Sequence, residues 1–252
     1  VSVFDSDAVS RRAGYVLHVM TAFGAVAGMV ALQAVIDGRY RDALLWLLAA
    51  QILDGLDGPI ARKLDVEFYA DRIDGHILDL VVDYITCVLV PLALLVRLQL
   101  LPTHFETLIV GAVFLFSALW FARTDLETDD HWFNGFPAAW NLVVPTFLIM
   151  GSTRIEVLIA TIALCISQLT NLKFPHIVKV EPMRWVTLPF AVLYLGNLAW
   201  LSWDYVPTAQ SHANLFQAII LIGFPLYIML ISIWRTWFAH THIPILGWIQ
   251  YD

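Results

Sequence analysis

The chain has 252 residues, 60% of them hydrophobic, and a formal net charge of -7; its mean hydropathy is +0.74. That composition is too apolar for a soluble globular domain. The acidic balance, with no basic patch interleaved with aromatic residues, excludes nucleic acid as an expected partner.

Apolar runs of membrane-crossing length recur along the chain. The expected fold class is therefore all-α, a polytopic transmembrane helical bundle of about eight helices forming one integral membrane domain over 1–252. The expected spans lie near 15–36, 42–61, 74–97, 105–122, 137–152, 155–173, 183–203 and 213–238. Ahead of them, 1–14 is a polar interfacial or cytoplasmic segment with Arg11 and Arg12, and the first span is too long for a signal h-region and is expected to be retained. Gly24, Ala25, Ala27 and Gly28 suit close helix packing in lipid, and His18 reads as a satisfied polar residue. Asp37-Gly38 turns the chain, and Leu101-Pro102 separates the third span from the fourth.

Between the fourth and fifth spans runs an acidic connection, Arg123 to His131, which reads as a solvated face, the alternative being that Asp125, Glu127, Asp129 and Asp130 draw a cation to the entrance. The fifth span opens with Gly135-Phe136-Pro137 and contains Pro145, a residue that kinks helices. After the sixth come Lys173, His176 and Lys179, expected to set orientation or to touch lipid phosphate. The eighth runs into Trp234 and Trp237, an interfacial aromatic belt, and 239–252, with His240 and His242, is expected to be an interfacial tail. Cys87 and Cys165 both fall inside spans, so no disulfide framework is implied. With eight crossings, most of the fourteen Lys and Arg fall on the side of the two termini, against Arg39, Arg41, Arg97 and Arg154 on the other. The positive-inside rule then puts both termini and the second-to-third hairpin in the cytoplasm.

That hairpin holds four aspartates inside apolar segments. Asp54 and Asp57 are spaced i,i+3 and Asp79 and Asp83 i,i+4, so each pair shares one helix face. At about 1.5 Å rise per residue, Asp54 lies roughly 12 Å before Arg62 and Asp83 roughly 12 Å past Gly75, which brings them to one depth if 63–74 is the turn. Ionised carboxylates gathered there would repel one another and resist desolvation. Divalent cations remove both penalties, and oxygen donors suit Mg²⁺ and Mn²⁺. Four negative charges match two such ions, and paired metals stabilise a phosphoryl group in displacement. Gly58 and Gly75 leave room for a ligand against helix backbone, and Arg62 at the mouth can grip phosphate. The residues by themselves predict metal-assisted phosphoryl chemistry at the cytoplasmic face.

The run Asp54-x2-Asp57-Gly58-x2-Ala61-Arg62-x12-Gly75-x3-Asp79-x3-Asp83 resembles the signature of the CDP-alcohol phosphotransferases at eight positions. The twelve-residue gap, where eight is usual, resembles the bacterial phosphatidylcholine synthase branch. So do His18-Val-Met-Thr21-Ala-Phe-Gly24 before the motif and Thr128 to Asn141 after it. The resemblance implies that Asp54, Asp57, Asp79 and Asp83 hold two Mn²⁺ or Mg²⁺ ions, with Asp83 the catalytic base. It further implies that Gly58, Ala61, Arg62 and Gly75, with Thr21, line the CDP-diacylglycerol site. Transfer of the phosphatidyl group to choline with release of CMP, in a bacterial inner membrane enzyme that is commonly a homodimer, is the activity it implies.

A quaternary ammonium acceptor calls for aromatic faces. Tyr84, Trp120 and Trp140 are the candidates; packing or belt roles are the alternative for the two tryptophans. Asn141 is expected either to orient the hydroxyl or to bond a neighbouring helix. Other readings are another acceptor such as serine, CDP-choline as donor, or a cation-coupled transporter. A transporter would spread its acids over repeats and broken midplane helices, whereas here they concentrate in one hairpin.

Overall fold

The computed structural model describes residues 3–63, 69–207 and 212–239, with the side chains of 3–10, 57, 59 and 61–63 outside that description. Eight helices are present among the described residues: α1 Val3–Ile36, α2 Tyr40–Lys63, α3 Gly75–Arg97, α4 Glu106–Phe121, α5 Trp140–Met150, α6 Arg154–Gln168, α7 Arg184–Trp203 and α8 Leu215–Trp237. Each falls on one expected span. Their starts are written in local side chains. Asn214 and Gln217 cap α8 reciprocally, and Thr153 and Glu156 do the same for α6. Asp74 accepts from Ile77 N at 3.0 Å and opens α3 at Gly75.

Four helical segments are long and apolar enough to cross a membrane: Arg11–Ile36, Gly75–Arg97, Glu181–Trp203 and Leu215–Trp237. The other helices differ for readable reasons. α2 has 24 residues but carries Asp54 and Asp57 in its second half. The helices α4, α5 and α6, with 16, 11 and 15 residues, fall short of the roughly 20 that span a bilayer perpendicularly.

The chain gathers into two compact units: one comprises Val1–Leu98 with Trp140–Pro145, the other Gln99–Ala139 with Thr146–Asp252. In the first unit α1 packs along α2 and against α3. Small residues set the distance. A Cβ at Gly24 would lie 2.6 Å from Val82 Cγ1, and one at Gly28 would lie 2.8 Å from Ile85 Cγ2. Ala27, Ala31 and Ala34 on α1 and Ala43, Leu44 and Leu47 on α2 are buried. In lipid this interlock is stabilised by close van der Waals contact rather than by release of water.

The second unit contains structure that the apolar pattern did not announce. Strand β1, Trp132–Asn134, pairs antiparallel with β2, Lys173–Pro175, in the register Trp132↔Pro175 and Asn134↔Lys173. The sixth span, expected to reach 173, ends as a helix at Gln168 because the following residues turn to join this ribbon. Trp132 and Phe174 are buried within the unit.

The acidic connection, expected to be a solvated face, is instead folded into ion pairs. Asp125 receives Arg123 at 2.8 Å, Glu127 receives Lys179 at 3.0 Å, and Asp130 receives Arg235 at 2.7 Å. The Arg123 guanidinium beside Asp125 holds that carboxyl below the usual carboxylate range. Burial would raise Glu127, but hydrogen bonds from His131 and Lys179 outweigh it and leave the carboxyl lowered. At Asp130 burial is likewise outweighed, by Thr128 and Arg235. Lys179, expected to set orientation or to meet lipid phosphate, therefore holds this network together as well. His240, His242 and the rest of the interfacial tail lie outside the described residues.

Candidate metal and nucleotide site

The first unit brings together the acids that the spacing predicts. Asp54 projects from α2 and Asp79 and Asp83 from α3, and one carboxylate oxygen of each lies within 4.8 Å of the others. Oxygens sharing an ion at about 2.0–2.6 Å stand no more than about 4–5 Å apart, so the cluster fits a divalent cation. The donor set is all carboxylate, which suits Mg²⁺ or Mn²⁺. Asp57 follows Asp54 by three residues within α2, but its side chain, like those of Ala61 and Arg62, lies outside the described residues.

α3 changes pitch immediately after Asp83. Tyr84–Leu89 is π-helical, and the N–H of Val90 donates to Ile85 O five residues back. The cause is next in the chain: Pro91 has no N–H to give, and its ring would meet the carbonyl four residues earlier in a regular helix. Such wide turns occur mostly as single insertions near functional positions. Within the wide turn, Thr86 donates to Val82 O at 3.1 Å and the Cys87 thiol donates to Asp83 Oδ1 at 3.8 Å.

A small pocket opens on the acids, with Thr21 and Gly24 of α1, Asp54 of α2 and Asp79 and Thr86 of α3 among its walls. Thr21, expected to meet the nucleotide, stands in that wall. Gly58 is half-buried in α2. At Gly75, the expected nucleotide approach has a second occupant: a Cβ there would lie 3.1 Å from Cε1 of His18. His18 is buried and bonds Ala70 O through Nε2 at 3.3 Å. The glycine lets α1 reach the start of α3 at this point.

The side chain that sequence reasoning missed is Gln51. Its Nε2 donates to Asp54 Oδ2 at 3.2 Å, and its Oε1 accepts from Asn141 Nδ2 at 2.6 Å. Its i,i+3 spacing to Asp54 was the available signal. Asn141 thus bonds a neighbouring helix and is 2% exposed. Of the aromatic residues considered for choline, Tyr84 lies half-buried in the π-helical turn and Trp140, the first residue of α5, is fully buried. Trp120 belongs to the second unit. There its Nε1 donates to Asn134 O at 2.8 Å and its ring meets Phe121 and Phe133 edge-on, a packing role.

An α-helical membrane protein with an acidic cluster on two adjacent helices is the class that these observations define. The chain belongs to the CDP-alcohol phosphatidyltransferase family, whose model matches residues 16–172. It is similar to the phosphatidylcholine synthase of Pseudomonas aeruginosa, at 34% identity over 238 residues covering 92% of this chain and 96% of that protein. It is also similar to the phosphatidylcholine synthase of Borreliella burgdorferi, at 29% over 224 residues, covering 88% and 94%. A third relative, the phosphatidylcholine synthase of Bradyrhizobium diazoefficiens, is 35% identical over 192 residues, covering 75% and 72%.

Proposed function

We propose that this chain transfers the phosphatidyl group of CDP-diacylglycerol to choline and releases CMP. The observation that carries the reading is the convergence of Asp54, Asp79 and Asp83 within 4.8 Å, in a chain similar over most of its length to phosphatidylcholine synthases. Two divalent ions, Mn²⁺ or Mg²⁺, held by these acids and Asp57, would offset charge on the diphosphate and on the phosphoryl group in transfer.

In this reading Asp83 takes the proton of the choline hydroxyl as its oxygen attacks the phosphorus of the phosphatidyl group. A phosphorus–oxygen bond to choline forms, the bond to CMP breaks, and CMP departs with the electron pair. The proton then passes from Asp83 to solvent. Arg62 would grip the diphosphate with its paired N–H groups, and Thr21, Gly58, Ala61 and Gly75 would line the nucleotide site. Tyr84 and Trp140 of the first unit are the aromatic candidates for the trimethylammonium group.

The enzyme is placed in the bacterial inner membrane as one integral domain with eight crossings, working as a homodimer with both termini and the acids at the cytoplasmic face. The charge distribution supports that orientation, and local thinning of the bilayer with snorkelling flanking residues can accommodate the short helices α4, α5 and α6. The test is CMP release by purified protein in detergent with CDP-diacylglycerol and Mn²⁺, with choline, serine, myo-inositol or glycerol 3-phosphate as acceptor. Release with choline and recovery of phosphatidylcholine is the expected result. Release with serine alone would overturn the acceptor, and turnover only with CDP-choline and diacylglycerol would overturn the donor.

A further inference from the structure

We infer that Gln51 and Asn141 form a two-amide relay that aims Asp54 at its metal, and that Asn141 is a positioning residue rather than a contact of the acceptor alcohol. The inference rests on the reading of the acids as a metal site. The direction of the relay follows from the chemistry of its end. An ionised Asp54 carboxylate only accepts, so Gln51 must present its Nε2 to Oδ2, at 3.2 Å. That leaves Gln51 Oε1 facing Asn141, which must donate its Nδ2, at 2.6 Å. Each amide thus has one orientation consistent with a charged Asp54. One oxygen of Asp54 is bound sideways by Gln51 and the carboxylate is held in a fixed plane, which keeps it in register with Asp79 and Asp83 on the facing helix.

The relay is a poor device for holding helices together. Asn141 is 2% exposed, and its Oδ1 has no hydrogen-bond partner among the described residues. A buried acceptor left unmet is costly, and a pair of apolar residues of like shape would replace the two amides at little or no loss of stability. The pair therefore makes sense for what it does to Asp54. Groups that orient a metal ligand from outside the ligand set change metal affinity by about 10–100-fold.

The test uses the full chain in detergent without substrate, with Mn²⁺ binding followed by electron paramagnetic resonance and folding by thermal unfolding. Gln51→Leu is expected to raise the Mn²⁺ Kd about tenfold or more. Asn141→Leu is expected to raise it by no more than Gln51→Leu does, and the double variant should match Gln51→Leu within about twofold because one residue acts through the other. The melting temperature of the double variant should equal or exceed that of the wild type. Asn141→Asp, of unchanged size, turns the Gln51 amide the wrong way round and is expected to weaken Mn²⁺ as much as the leucine variants. In the assay, the choline KM of the Asn141 variants should stay within about twofold of wild type.

Folded variants that bind Mn²⁺ as the wild type does would overturn the relay. A tenfold rise in choline KM at Asn141 with Mn²⁺ affinity intact would overturn it in favour of an acceptor contact. Wild-type protein that binds no Mn²⁺ would bring down the metal reading and the relay together. Wild-type protein that binds Mn²⁺ but makes no phosphatidylcholine would bring down the proposed reaction alone.

Discussion

Each unit holds a group of acids, and the two groups are treated in opposite ways. In the second, each of Asp125, Glu127 and Asp130 is met by a cation: Arg123, Lys179 and Arg235 respectively. In the first, Asp54, Asp79 and Asp83 are brought to one another within 4.8 Å, and among the described residues Gln51 donates to Asp54 and Cys87 to Asp83. Acids matched with bases inside the chain fix loop structure and ask for nothing further. Acids gathered with an oxygen of each inside 4.8 Å are spaced as the ligands of one divalent cation would be. The first arrangement is a fastening, and the second is the one the proposed metal site uses.

The largest effect that would break this contrast comes from Asp83→Asn. Loss of a general base lowers turnover by about 10²–10⁴-fold, while removal of one charge from a like-charged cluster should leave the metal-free protein as stable as before, or more so. Choline-dependent CMP release and thermal unfolding, measured on the same preparation without added metal, read both. A large fall in melting temperature would make Asp83 a fastening after all.

Arg235→Met should do the reverse. It leaves Asp130, whose side chain is 33% exposed, without its partner at 2.7 Å. A loss of about 1.5–3 kcal/mol of stability is expected, the range for hydrogen bonds to charged groups. Turnover per folded molecule should stay near wild type. Loss of activity from protein of unchanged stability would mean that the second unit's ion pairs also serve the reaction.

The close approach of α1 to α3 can be tested between these extremes. Gly24→Ala places a methyl group 2.6 Å from Val82 Cγ1, and overpacking of this kind costs about 1–3 kcal/mol. The wall of the acidic pocket moves with it, so activity should fall several-fold. Val82→Ala in the same chain should restore both, because the clash is between those two side chains.

The smallest effect is on pH dependence. Asp125, Glu127 and Asp130 all have lowered carboxyls in the folded chain, so their contribution is fully present above the unfolded values of 3.8 for Asp and 4.5 for Glu. It is lost as pH falls through the lower folded values. Melting temperature should therefore drop below about pH 4, and Arg235→Met should flatten part of that drop. An unchanged slope in that variant would remove Asp130 from the network.

Much of this was legible in the sequence because it rests on local periodicity. Apolar runs of helical length mark all eight helices, and i,i+3 and i,i+4 spacing is enough to put the aspartates on facing sides of a hairpin. Gly24 and Gly28 mark the close approach for the same reason. What escaped depends on distant partners or on segments too short to show a period. Gln51 and Asn141 are 90 residues apart, and no helical pattern joins them. β1 and β2 have three residues each, fewer than an alternating pattern needs to be seen. Asp125 to Asp130 look solvated because Lys179 and Arg235 arrive from far along the chain. Pro91 was visible, but the π-helical turn before it became readable only with the N–H of Val90 traced to Ile85 O.

The most direct measurement is formation of phosphatidylcholine from CDP-diacylglycerol and choline, followed through chelation and readdition of Mn²⁺, in wild type beside Asp79→Asn. Turnover is predicted to fall to background in chelator and return with Mn²⁺ in the wild type, and to stay at background throughout in the variant. Undiminished turnover in chelator, or full activity from Asp79→Asn, would contradict the claim that the acids of the first unit are the centre of the chemistry.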